Sequence, residues 1–162
     1  MDVAAAFKFS RCSGVPVVVK NTGHDYMGRG TLGIWTHHLK LISYNRAFIL
    51  QGCESMVDPV PTVTFGSRVQ FYDLLQFANE NNLTIPGGSD ATVGVGEGYL
   101  QGGGHSLLSN IFRLAVNHVL EYEVVVPNSD LLNANECQNP DLFFALHGGG
   151  GGTFGVIMQV TT

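Results

Sequence analysis

Residues 92–106, Thr92-Val93-Gly94-Val95-Gly96-Glu97-Gly98-Tyr99-Leu100-Gln101-Gly102-Gly103-Gly104-His105-Ser106, hold six glycines in fifteen positions. Such a run is expected to be a loop, because glycine gives up the most backbone freedom in a regular element. Two other segments share its texture, NTGHDYMGRG at 21–30 and GGGGGTFG at 148–155. Without a Cβ, backbone N–H groups can approach a ligand closely and form concave nests for anionic oxygens. Any one of these loops is equally well an ordinary turn or a close strand contact. Three in a chain with only eight Lys+Arg are better explained by a phosphate-bearing ligand held through backbone amides. Neither GxGxxG between a strand and a helix nor GxxxxGK[ST] occurs, which disfavours a nicotinamide Rossmann site and an ATP P-loop.

The rest of the composition sets bounds. A length of 162 residues allows one domain, or two small lobes sharing a core. Hydrophobic residues reach 44% and charged residues 13%, enough apolar material for a sizeable core. A formal charge of −5 argues against a nucleic-acid partner, which needs dense Lys and Arg to neutralise phosphates. No apolar run approaches the roughly 18–20 residues of a membrane span, so no membrane partner is expected. The opening MDVAAAFKFSRCSG has no long apolar stretch, so no signal peptide is visible and no compartment is assigned. Cys12, Cys53 and Cys137 are too few and scattered for a disulfide scaffold, and no metal-ligand spacing occurs.

Working along the chain, residues 2–12 read as a helix capped by Asp2. VPVVVK (15–20) has the β-branched pattern of a strand buried on both faces. LGIWTHH (32–38) and VPTVTFG (60–66) read as strands, which would point His37 and His38 to opposite faces and prevent joint chelation. Residues 67–82 form the strongest helix, with Ser67 as cap and Phe71, Leu74, Leu75 and Ala78 as its apolar stripe. NNLTIPGG (81–88) ends it with a brief strand and a turn; Asn82-Leu83-Thr84 is a glycosylation sequon, relevant only in a secretory pathway. VLEYEVVVP (119–127), NSD and LLNAN (131–135) form a hairpin. Asn139-Pro140-Asp141 starts a helix, and TFGVIMQV (153–160) closes as a strand. Trp35 and the Phe143-Phe144 pair are expected in the core. Without strict βαβ alternation the class is α+β, with a soft boundary near Pro86–Asp90.

Four ordered blocks, KNTGHDYMGRG with IWTHHLK, then PGGSDATVGVGEGYLQGGGHS and NPDLFFALHGGGGGTFGV, carry a resemblance. They are similar to the FAD-binding PCMH-type domain of the vanillyl-alcohol-oxidase superfamily, in the fungal FAD-linked form of its berberine-bridge-enzyme-like branch. The resemblance implies two small α+β lobes with mixed or antiparallel sheets, a first lobe at 1–88 and a second at 89–162. It implies FAD as cofactor and a small-molecule substrate in full-length members. Asn21, Thr22, Gly23, His24 and Asp25 would wrap the diphosphate with backbone amides, and His24 would be the residue attached to the flavin 8α-methyl carbon. Thr92, Val93, Gly94, Gly96 and Gly98 match the segment between diphosphate and ring. Gly103 and His105 match the turn beside the flavin, where His105 either bonds near the ring or packs. Gly155 and Val156 belong to the strand contacting the adenosine side. Some members carry a second attachment through a cysteine before the middle block; here Ser89-Asp90-Ala91 stands there, so a single linkage is expected.

The resemblance also has departures. The family's first strand would precede Asp2, and its substrate domain, which supplies the acid/base group, would follow Thr162. No catalytic residue is therefore assigned within these positions, and weak FAD binding with little turnover is expected of the chain alone. Arg113 stands where a turn glycine is usual, and Asn117-His118 where Asp-Asn is usual. In full-length members the reaction implied is hydride transfer from an alcohol or amine to flavin N5, with reoxidation by oxygen. The alternatives are a non-catalytic flavin-binding module and a degenerate remnant without cofactor.

Overall fold

Helix α1 (Asp2–Ser13) opens the chain and lays Val3 and Phe7 on the molecule's smaller apolar cluster. The structure, a computed structural model, describes residues 2–24, 30–53 and 58–162. Strands β1 (Val17–Lys20) and β2 (Leu32–Trp35) form a separate parallel pair, in register from Val17 opposite Leu32 to Lys20 opposite Trp35. Strands β3 (Ile42–Phe48) and β4 (Val60–Gly66) come next, then helix α2 (Phe71–Glu80). A π-helical turn at Val95–Tyr99, the short helix α3 (Ser109–Phe112) and a 3-10 turn at Ala115–His118 lead to β5 (Glu121–Val125). Strand β6 (Leu131–Ala134), helix α4 (Pro140–Leu146) and β7 (Val156–Thr161) complete the order. The five-stranded sheet runs β3-β4-β7-β5-β6 and is antiparallel at every step. It draws strands from both halves of the chain, so the α+β architecture is built on one shared sheet.

Both faces of that sheet are covered. Phe65, Tyr122, Val124 and Ile157 pack with Phe71 and Leu74 of α2, all nearly or fully buried. On the other face Val125 and Val156 join Val3 and Phe7 of α1 and Ile34 of β2. The apolar run Val124-Val125-Val126 fits a strand covered on both sides at this end.

The structure alters several expectations. Val17–Val19 are only half-buried, because a two-stranded pair has cover on one side alone. Strand β2 stops at Trp35, so His37 and His38 lie in a turn; their rings meet edge-on at 5.1 Å, and His37 stacks on Trp35 at 4.5 Å. Trp35 is 60% exposed and Phe144 83% exposed, whereas Phe143 does pack at the core's edge. Helix α2 begins at Phe71 with Gln70 in the cap position, Ser67 is buried before it, and Leu75 faces outward. Residues 83–85 form no strand, although Leu83 and Ile85 touch the core. The run at 92–106 is not wholly loop, since its centre forms a π-type turn kinked at Glu97, where φ is −108° and ψ −106°. Strand β3 had no sequence signal: ISYNRAF carries the polar residues of an edge strand.

Cys53 and Cys137 are joined by a disulfide across 84 residues, with Cα atoms 5.7 Å apart. This corrects the reading of the cysteines as scattered. Asn135 organises the joint: its Nδ2 donates to the Gln51 carbonyl and to Glu121, and its Oδ1 accepts from the amides of Cys137 and Gln138. Closing so long a loop stabilises the fold by about 4 kcal/mol in the chain-entropy account. Arg113, standing where a turn glycine is usual, has φ +66° and ψ −166°, a region that suits glycine and costs a side chain about 1–3 kcal/mol.

Candidate functional site

At the end of β1 the chain turns into 21–24, and there it meets the π-helical turn and the loop at 148–152. The three segments enclose a cavity of about 350 Å³, at the small end of ligand-binding clefts. Its lining is Val19, Asn21, Thr22, Gly23, His24, Val93, Gly94, Glu97, Gly98, Tyr99, Gly151 and Gly152. The glycine loops, far apart in sequence, thus share one cleft.

Close backbone approach explains the glycines. A Cβ on Gly94 would lie 1.9 Å from Asn21 Oδ1, and one on Gly151 would lie 2.8 Å from Gly98 Cα. Asn21 pins the turn: its Nδ2 donates to the Ser67 carbonyl at 2.7 Å and to Thr36 Oγ1 at 3.3 Å, while its Oδ1 is buried without a partner. Among the described residues, the amides of Gly23, Gly151 and Gly152 donate to no carbonyl. Free N–H groups lining a cleft of this kind are what an anionic oxygen needs. The residues present therefore fit a diphosphate.

His24 is held by a relay. Its Nε2 lies 3.0 Å from Thr92 Oγ1, and that hydroxyl donates to Asp90 Oδ1 at 2.7 Å. The Thr92 amide donates to the same Asp90 oxygen, and these bonds from Thr92 hold the Asp90 carboxyl below its ordinary range. Because the Thr92 hydroxyl gives its proton to Asp90, it accepts from His24. The neutral imidazole then carries its proton on Nε2 and leaves the Nδ1 lone pair free.

The cavity gathers Asn21, Thr22, Gly23, His24, Val93, Gly94 and Gly98 of the expected positions. Asp25 lies outside the described residues. Thr92 stands behind His24, and Gly96 packs on Ser67, where a Cβ would come within 2.8 Å of Ser67 Cα. Gly103, His105, Gly155 and Val156 do not line it. The exposed His105 contributes its carbonyl to the Tyr99 hydroxyl at 2.8 Å. Gly155 faces the sheet, where a Cβ would meet the Val125 carbonyl at 2.6 Å, and Val156 is fully buried. Glu97, Tyr99 and Val19 were missing from the expected set. Gly151 and Gly152 sit in the glycine run, and an acid inside a glycine loop was the signal for Glu97.

Fold and cavity together define an α+β domain with a glycine-lined cleft. A family model described as FAD binding domain matches residues 1–135, and the chain belongs to that family. FAD-linked oxidoreductase ZEB1 of Gibberella zeae is 45% identical over 164 residues; the match takes in 99% of this chain and 28% of the relative. A solved VAO-type flavoprotein of Myceliophthora thermophila superposes with a TM-score of 0.90 at 40% identity, over 99% of this chain and 29% of that one. A glucooligosaccharide oxidase of Acremonium strictum, which holds a 6-S-cysteinyl, 8α-N1-histidyl FAD, shares the fold at TM-score 0.77 and 24% identity, over 99% of this chain and 32% of that one. The chain spans less than a third of each of these proteins' length. It is an FAD-binding domain, similar to that part of FAD-linked oxidoreductases.

Proposed function

We propose that the cavity between 21–24, 93–99 and 151–152 holds FAD for a longer flavin-dependent oxidoreductase. When bound, FAD supplies the redox chemistry, accepting hydride at N5 from an alcohol- or amine-type substrate and passing electrons to oxygen. Asn21, Thr22, Gly23, Val93, Gly94 and Gly98, with Gly151 and Gly152, wall the diphosphate, and the amides of Gly23, Gly151 and Gly152 supply donors to it. Gly96 packs behind the cradle on Ser67, while Gly103 and His105 would lie beside the flavin and Gly155 and Val156 on the adenosine side. Segments 1–88 and 89–162 act as the two lobes that close on it while sharing one sheet. The unpaired amides on the cavity wall carry this reading, because they provide donors without introducing charge.

His24 is the attachment residue in this proposal, with Asp25 completing the loop around the diphosphate. The bond from Nε2 to Thr92 leaves Nδ1 as the nitrogen able to bond to carbon, and Asp90 keeps the ring in that tautomer. A visible absorption spectrum of the purified protein, taken before and after acid precipitation, tests both points. Yellow colour retained in the precipitate and lost in His24→Ala is the expected result. A protein that stays colourless in excess FAD would refute the cofactor site, and colour retained in His24→Ala would move the linkage elsewhere.

A further inference from the structure

Two features that the FAD cavity does not use belong together chemically: the Cys53–Cys137 bridge and the turn that follows helix α2. Cys53 is 1% exposed, and Asn135 ties Gln51, Glu121, Cys137 and Gln138 together around the bridge. A buried bridge framed by its own polar network is structural, and such bridges form and persist in oxidising compartments such as the endoplasmic reticulum lumen. Asn82-Leu83-Thr84 is the one Asn-x-Ser/Thr triplet of the sequence, and the same lumen is where such triplets receive glycans. Helix α2 ends at Glu80, and Asn82 turns the chain with φ +54°. Asn82 and Thr84 are exposed, while Leu83 between them packs against the core and its amide donates to the Ala78 carbonyl at 2.9 Å. The Asn81 carboxamide is spent on the Phe77 carbonyl at 2.8 Å, whereas among the described residues the Asn82 carboxamide has no partner. Leu83 thus fixes the turn and leaves both chemically required side chains of the triplet in water. None of the three lines the FAD cavity.

We propose that Asn82 carries an N-linked glycan, attached as the chain enters the oxidising lumen in which Cys53 and Cys137 pair. In that transfer Asn82 Nδ2 bonds to the anomeric carbon of an oligosaccharide donated by a lipid diphosphate. The bond from that carbon to the diphosphate oxygen breaks, the lipid diphosphate leaves, and Nδ2 gives up a proton; no electrons are exchanged. The bridge forms separately, its two thiols passing two electrons and two protons to a disulfide-exchange partner in the same lumen. A sugar at Asn82 projects from the exposed turn and leaves the cavity open, so cofactor binding and glycosylation do not compete. Positive φ by itself favours an asparagine at 82, because Asn tolerates the left-handed region better than most residues. Thr84 has no such backbone role, so changing it separates the glycan from the turn.

Peptide mapping without reduction, on the full-length protein purified from the cells that produce it, tests this. After peptide-N-glycosidase treatment in heavy-oxygen water, the peptide containing position 82 should carry heavy-labelled aspartate there. The peptides containing Cys53 and Cys137 should remain linked. Asn82→Gln and Thr84→Ala, expressed in the same cells, should each run faster on a gel by the loss of one glycan, whereas Thr84→Ser should keep it. Thr84→Ala retains the asparagine at the positive-φ turn, so it decides the matter even if Asn82→Gln fails to fold. An unmodified Asn82 beside a linked cysteine pair would overturn the glycan alone. An unmodified Asn82 with free Cys53 and Cys137 thiols would overturn the oxidising compartment as well. A glycan that survives Thr84→Ala would overturn its assignment to this triplet.

Discussion

In the five-stranded sheet, β7 is paired on both sides and its side chains Val156, Ile157 and Val160 are completely buried. In the cavity, by contrast, Asn21 Oδ1 and both Glu97 oxygens are buried without partners, and several amides donate to nothing. The two regions are neighbours, since Gly96 of the cavity's helical turn lies against Val160 and the Gly66–Ser67 backbone. The sheet pairs its backbone along every shared edge and supplies stability, leaving Thr62 Oγ1 and the Tyr122 hydroxyl as its buried groups without partners. The cavity leaves more unmet, and of these a bound anion would pair only the free amides. Substitutions in the two regions should accordingly separate stability from ligand affinity.

The largest effect belongs to the frame. Cys53→Ser with Cys137→Ser should lower unfolding free energy by about 4 kcal/mol in denaturant titrations, with FAD affinity little changed while the protein stays folded. The next is pH-dependent. The Glu97 carboxyl has an ordinary value of 4.5 and rises to about 8 in the fold, so between these limits the folded state holds a proton the unfolded chain has released. Stability is then greatest below the lower limit and falls as pH rises through the upper one. Wild-type protein should lose about 2 kcal/mol between about pH 5.5 and about pH 7.5 relative to Glu97→Gln, measured by parallel melts.

Gly94→Ala should reverse the first pattern. Displacing Asn21 from its bond to Ser67 should weaken FAD binding about tenfold or more, with a smaller change in melting temperature. The smallest effect is a gain. Arg113→Gly should stabilise the protein by about 1 kcal/mol by relieving the positive φ, measured by thermal melts with no change in Kd.

Much of the frame was legible because its signals are local. The Asn139-Pro140 helix start, the Asn128–Asp130 turn and the apolar run of β5 each depend on neighbouring residues, and the elements formed as read. The meeting of the glycine loops followed from their shared chemistry and from the family resemblance. What stayed hidden depends on distant contacts. Strand β3 exists because β4 offers it an edge, and the disulfide because Cys53 and Cys137 are brought together across 84 residues. Trp35 and Phe144 looked like core by type, yet type alone does not say which face a neighbour covers. Glu97 has only a weak sequence signal, an acid inside a glycine run, and its burial is not legible from composition.

The central claim is that backbone amides of three glycine loops hold a diphosphate. Parallel fluorescence titrations with FAD and with riboflavin, which has the same ring but no phosphate, test it most directly. FAD should bind with one site per chain, and riboflavin about a hundredfold more weakly or not at all. Equal affinity for the two, or no binding of FAD, would contradict the claim.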